Sequence, residues 1–294
     1  MTADGAPDGF GSRWRTVRGL QLHALESAGG RGAAVVLLPG LVTAGWSMVP
    51  LARALVRRGL RVWIVDPPGF GYSDRPRRVL SVSEQAALVA DWLSAVGCRP
   101  ARMLGNSFGS QVAAAVAAGH PGAAGRVVLL SPTLAPAVRR RMSWLRVLPV
   151  PAGTRGRAPV RWRARLLARL HGTLGEEPPL RVLNVAEYAC AGLPRAVGTL
   201  RGAVQDPIEQ AMPRIGVPAL VIRADRDYLS SLDWAGHLAG LAPDGRLARL
   251  PGLGHDAFYQ AADTVAAVAA PFLAAGGDGR LAGPGARSPG AGPW

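Results

Sequence analysis

Ala101-Arg102-Met103-Leu104-Gly105-Asn106-Ser107-Phe108-Gly109 combines a short apolar run with a serine that has a glycine two residues to either side. An Ala-rich segment, 111–118, follows and has helical composition. The pattern predicts a strand over 101–104, a tight turn at Ser107 and a helix beyond it. A serine on such a turn presents its hydroxyl outward while neighbouring backbone passes close by, which requires glycine at both flanks. The start of the following helix offers unpaired N–H groups near the hydroxyl.

The same rhythm extends outward in both directions. Apolar runs at 33–38, 61–65, 126–130, 219–223 and 246–250 each end in Gly, Pro, Asp or Ser. Continuous apolar strands of this length suit a parallel sheet covered on both faces. Helical spacing at 49–58, 81–96, 232–241 and 264–273 fills the gaps, with Ser81 and Ser83 as candidate N-caps. Strands alternating with helices predict a doubly wound, mostly parallel α/β sheet. The strand rhythm breaks between 130 and 219, so 134–212 is expected to be an inserted helical cap, or lid, over the ligand-binding edge of the sheet. The core then comprises 13–133 and 213–275, with disordered ends at 1–12 and 276–294.

A serine hydroxyl needs a base to become a competent nucleophile. His255 lies in Gly252-Leu253-Gly254-His255, just past the last strand. His120 stands at a helix end and reads as structural, His23 falls in an early strand, and His171 and His237 fall in helical segments. A carboxylate must fix the tautomer of the base, and Asp225 and Asp227 both follow the strand at 219–223. Asp227 is preferred because it lies further past the strand end, whereas Asp225 is expected to close the turn with its own backbone. Asp66 and Asp74 read as turn-closing residues of a Gly/Pro loop.

In this order the motifs resemble the α/β-hydrolase family. Leu38-Pro39-Gly40-Leu41 stands where the family usually has His-Gly, and Asp66-Pro67-Pro68-Gly69-Phe70-Gly71-Tyr72-Ser73-Asp74 is similar to its loop after the fourth strand. Gly105–Gly109 matches the nucleophile elbow, and Asp227 with Gly254-His255 completes the triad pattern in the order Ser, Asp, His. The resemblance implies catalytic Ser107, Asp227 and His255, an oxyanion hole from the N–H groups of Leu41 (or its neighbour Val42) and Phe108, and no metal or organic cofactor. Val42, Asn106, Trp144, Trp162 and Tyr188 are candidate substrate contacts. The aromatic residues of the insertion serve equally well to hold the lid together.

Composition narrows the function classes. The 294 residues include 34 Lys+Arg against 19 Asp+Glu, a net charge of +15, and every basic residue is arginine. No nucleic-acid-binding module accompanies that charge, no apolar run reaches the length of a transmembrane segment, and the N-terminus lacks a signal-peptide pattern. Two cysteines make no disulfide framework and favour a reducing, cytoplasmic setting. The insertion is rich in arginine, including Arg139, Arg140, Arg141, Arg161, Arg165 and Arg169. That reads first as a solvated outer face and second as a basic mouth for an acidic or carrier-bound substrate. The leading expectation is a serine hydrolase cleaving a carboxylic ester of a small-molecule acyl substrate. Behind it stand a carbon–carbon bond hydrolase of the meta-cleavage-product type, a biosynthetic thioesterase or acyltransferase, and a non-catalytic binder or cyclase.

Overall fold

The computed structural model describes residues 6–146 and 179–276. Its strands are β1 (Phe10–Val17), β2 (Leu20–Ser27), β3 (Ala34–Leu38), β4 (Arg61–Val65), β5 (Ala101–Asn106), β6 (Ala124–Leu130), β7 (Ala219–Ala224) and β8 (Gly245–Leu250). The helices are α1 (Val49–Val56), α2 (Val82–Ala95), α3 (Phe108–Gly119), α4 (Pro136–Arg141), α5 (Leu180–Ala191), α6 (Leu193–Gln205), α7 (Leu232–Leu241), α8 (Ala257–Gln260) and α9 (Ala262–Ala274). Each predicted strand is present, with ends within two residues of expectation.

The strands form one eight-stranded sheet in the order β1-β2-β4-β3-β5-β6-β7-β8. β1 and β2 run antiparallel to their neighbours, and the six from β4 to β8 pair in parallel. Side chains alternate between two cores, as the pleat dictates. Val36, Leu38, Met103, Val127 and Val221 face α2, α3 and α7, while Val35, Leu37, Leu104, Val128 and Ile222 face α1 and α9. Every central strand is therefore buried on both sides, which is why it reads as an unbroken apolar run.

Strand order reverses at β3, whose neighbours are β4 on one side and β5 on the other. Such a switch point opens a crevice beyond the carboxyl ends of the strands. Between β6 and β7 the described residues hold α4, α5, α6 and short 3-10 turns, and no strand. The cap expected over 134–212 falls on this region; residues 147–178, with Trp162 and Arg161, Arg165 and Arg169, lie outside the described residues, as does the tail from 277.

The described part of the N-terminus, from Ala6, differs from expectation. The stretch 1–12 is predicted to be loose, yet β1 begins at Phe10, and both Ala6 and Phe10 are buried in the α1/α9 core. Two apolar anchors hold an otherwise polar segment. The β1–β2 hairpin turns through Arg18 and Gly19, both at positive φ (49° and 75°), the combination a two-residue hairpin favours. No described helix is long and apolar enough to cross a membrane.

Candidate active site

Ser107 closes β5 and caps α3 with φ 53° and ψ −115°. A non-glycine residue holds that conformation only where its surroundings enforce it, at a cost on the order of 1–3 kcal/mol. The flanking glycines supply the enforcement. A Cβ on Gly105 would collide with the Gly109 carbonyl, and one on Gly109 would strike the Leu38 and Pro39 carbonyls. The Ser107 N–H donates to the Leu130 carbonyl (2.9 Å), tying the elbow to β6. Ser110 braces the same turn: its buried hydroxyl donates to the Gly105 carbonyl at 2.8 Å.

His255 sits in the loop after β8, and its Nδ1 lies 2.9 Å from Asp227 Oδ2. Asp227 is buried, and its other oxygen accepts from the N–H groups of Leu229 (2.8 Å) and Ser230 (3.2 Å). Burial pushes this carboxyl up, but the hydrogen bond and charge of His255 and the Leu229 N–H outweigh it and hold it below the ordinary carboxylate range. The choice between the two aspartates therefore has a different basis from the one expected. Asp227 is the residue that closes the turn with its own backbone, and it reaches His255 with its second oxygen. Asp225 is taken by the guanidinium of Arg249, at 3.0 and 3.1 Å.

Ser107 and His255 open onto one cavity of about 1000 Å³, which Leu41 and Phe108 also line. Because Nδ1 is held by Asp227, Nε2 is the ring nitrogen left for proton exchange with a hydroxyl. Among the described residues no hydrogen bond joins Ser107 Oγ to the ring; such contacts are commonly long without substrate and tighten on binding. The Phe108 N–H is the first of α3, beyond the reach of any intrahelical acceptor. Gly40 lets the Leu41 loop approach the elbow, since a Cβ there would stand 3.4 Å from Ser107 Cβ. Asn106 lines the cavity with its Oδ1 buried and unpartnered.

Other candidates are dispersed. Tyr188 on α5 lines the cavity, but Val42 does not. At φ 52°, Val42 turns away into a small cluster with Phe70, Ala191 and Ala196. Trp144 is 56% exposed and also off the cavity wall, because in its 3-10 turn Leu145 takes the inward position. Arg139 is not a cation at the mouth: it is buried, paired with Glu209, and donates to the Leu134 carbonyl at 2.7 Å.

Two features escaped the sequence reading. Arg181 and Asn184 of α5 face the cavity, although the apolar residues of that segment carry the visible pattern. A second buried pair, His23 Nδ1 to Asp66 Oδ2 at 2.7 Å, continues from His23 Nε2 to Ser12 Oγ at 3.1 Å. Asp66 also accepts from the N–H groups of Gly45 (2.6 Å) and Tyr72 (2.8 Å), so it locks the loop after β4 rather than merely closing a turn. None of these three lines the Ser107 cavity. Among the described residues no group of three or more His, Cys, Asp or Glu side chains is placed to hold a metal ion.

The polyketide synthase ThaQ of Burkholderia thailandensis is 33% identical over 246 residues, which is 78% of this chain but only 11% of the synthase. A haloalkane dehalogenase of Mycolicibacterium paratuberculosis is 30% identical over 128 residues, 43% of this chain and 42% of that protein. The chain thus spans well under two thirds of either relative. Among solved structures, an enol-lactonase from Burkholderia xenovorans aligns with a TM-score of 0.67 at 22% identity, covering 89% of this chain and 99% of its own. The thioesterase domain from the curacin biosynthetic pathway aligns with a TM-score of 0.63 at 18% identity, also covering 89% and 99%. Likeness at that identity concerns the fold. The model of the alpha/beta hydrolase fold family matches residues 33–262, from the start of the central strands to the last helix. Sheet order, elbow and family match agree: this chain belongs to the α/β-hydrolase family, whose members are generally hydrolytic enzymes.

Proposed function

We propose that the protein is a serine hydrolase acting on carboxylic esters or related acyl bonds. Ser107 Oγ attacks the acyl carbon while His255 Nε2 takes its proton, and Asp227 steadies the resulting imidazolium. The oxyanion rests on the N–H groups of Leu41 and Phe108, each such donor contributing on the order of 10²–10³ in rate. His255 returns the proton to the leaving group. Water, deprotonated by the same ring, then releases the acid and restores Ser107. The insertion 134–212 acts as a cap that shapes the acyl pocket. The observation that carries this reading is the Asp227–His255 hydrogen bond on the cavity that also holds Ser107 at its strained elbow. A carboxylate nucleophile, which dehalogenase chemistry requires, has no counterpart at position 107.

Similarity to a polyketide synthase, together with the fold shared with a biosynthetic thioesterase domain, supports a second reading in which the scissile bond is a thioester that releases a carrier-bound acyl chain. Both readings pass through the same acyl-serine. A fluorophosphonate probe should therefore label the wild type at one site and fail to label Ser107→Ala. Absence of labelling on folded wild type would reject both. Relative kcat/KM on p-nitrophenyl esters and acyl thioesters then decides between them.

A further inference from the structure

Part of the wall of the cavity that holds Ser107 is built by α5. Arg181, Asn184 and Tyr188 stand three and four residues apart and share one helix face, and all three line the cavity. Arg181 has no hydrogen-bond or ion-pair partner among the described residues. One turn along, Asn184 Oδ1 is buried without a partner. A buried amide oxygen in that state costs free energy until something donates to it. The other charged or titratable groups of the described cavity wall are His255, Asp256, Tyr188, Tyr228 and Tyr259. Asp256 neighbours His255 in the chain and accepts from Gln260, so the negative charge lies on the catalytic side and the positive charge on the α5 side.

We propose that Arg181 makes this cavity selective for acyl groups that end in an anion, a carboxylate being the simplest, and is a specificity-determining residue. The proposal rests on the reading of Ser107 as the site of acyl transfer. With the acyl carbon at Ser107, the far end of the chain meets the Arg181 guanidinium. A guanidinium takes a carboxylate through two parallel N–H bonds. Asn184 Oδ1 accepts an O–H or N–H from a polar group on the same chain. The basic contribution thus comes from a residue of α5, not from Arg139, whose charge is spent on Glu209.

The test uses the full chain as Ser107→Ala, so that binding is read without turnover. Calorimetric titration compares p-nitrophenyl hemiadipate, which ends in a carboxylate, with p-nitrophenyl hexanoate, of equal chain length but neutral. The hemiadipate should bind about tenfold tighter, and adding Arg181→Gln should abolish the gap. Arg181→Glu should invert it. Equal affinities, a gap that survives Arg181→Gln, or no binding of either ester at millimolar concentration would overturn the proposal. Because Arg181 is exposed, these variants are expected to fold, which the unfolding midpoint checks. Lack of fluorophosphonate labelling would defeat the acyl-serine reading and leave this binding comparison unchanged, so the two failures are distinguishable.

Discussion

Asp227 and Asp225 stand two residues apart and give the sharpest contrast at the scale of single residues. Asp227→Asn keeps the oxygen that accepts from the Leu229 and Ser230 N–H groups, so the loop should hold its shape. It loses the carboxylate that fixes the His255 tautomer. Turnover should fall by about 10³–10⁴-fold with the unfolding midpoint little changed. Asp225→Asn instead removes the pair with the half-exposed Arg249 and a longer one with Arg223 at 3.6 Å; neither reaches His255, and the substitution should leave turnover intact. Steady-state kinetics on the two purified variants checks both, and equal losses would contradict the assignment. That Asp227 meets His255, and that His255 shares a cavity with Ser107, was legible in the sequence because each of the three sits just past an apolar run, with glycine or turn residues around it. Asp66 was legible only in part. Its loop is visible in the sequence, but its partner His23 lies 43 positions away and nothing in either local pattern announces the pair. Val42 and Trp144 were misread because a neighbour's direction decides theirs: a positive φ in one case, the inward Leu145 in the other.

Elements read best where local pattern and tertiary role coincide. Ser81 caps α2 in a full capping box with Glu84, and the central strands end where their turn residues begin. The insertion read less well, since its helices are held by contacts that no periodicity encodes. The end of α6 illustrates this. Gln111 of α3 donates to the carbonyls of Ala203 and Asp206, so the helix behind the elbow caps the helix that walls the cavity. Asp206 itself is awkwardly placed. Burial raises its carboxyl to about 6, with Arg139 opposing and Glu209 adding to the shift. A carboxylate at a helix C-terminus also faces the negative end of the dipole. The folded state therefore keeps a proton that the unfolded chain sheds near its ordinary value, about 4. Stability therefore declines as pH rises from about 4 to about 6, and the ionised group costs stability above that. Asp206→Asn should unfold ~2–4 °C higher than wild type at pH 7.5, taking the penalty as ~1 kcal/mol after solvent screening. The difference should vanish by pH 4. Thermal unfolding at the two pH values measures it, and a constant difference would show that Asp206 is not the titrating group.

At the scale of the whole molecule, the charge of +15 outlasts local pairing. Many acidic groups are consumed by arginine: Glu26 by Arg13, Glu84 by Arg78, Asp263 by Arg57 and Arg58, and Asp225 by Arg249. Arg140 and Arg141, exposed on α4 within the insertion, have no such partners among the described residues. An excess of this kind creates a field that reaches about one Debye length, ~30 Å at 0.01 M salt and ~10 Å at 0.1 M. The field and the Arg181 contact are separable by range. Long-range steering acts on the encounter and is screened early, whereas a guanidinium–carboxylate contact at a few ångströms persists into higher salt. For an anionic ester, kcat/KM should therefore fall several-fold between 0.01 and 0.2 M NaCl in wild type and in Arg181→Gln alike. The ratio between the two proteins should change much less over the same range, and a neutral ester should respond weakly in both. A flat salt response for the anionic ester would assign the arginine excess to a solvated surface with no part in substrate capture. A salt dependence that disappears in Arg181→Gln would place the whole electrostatic effect in that one side chain and none in the field of the molecule.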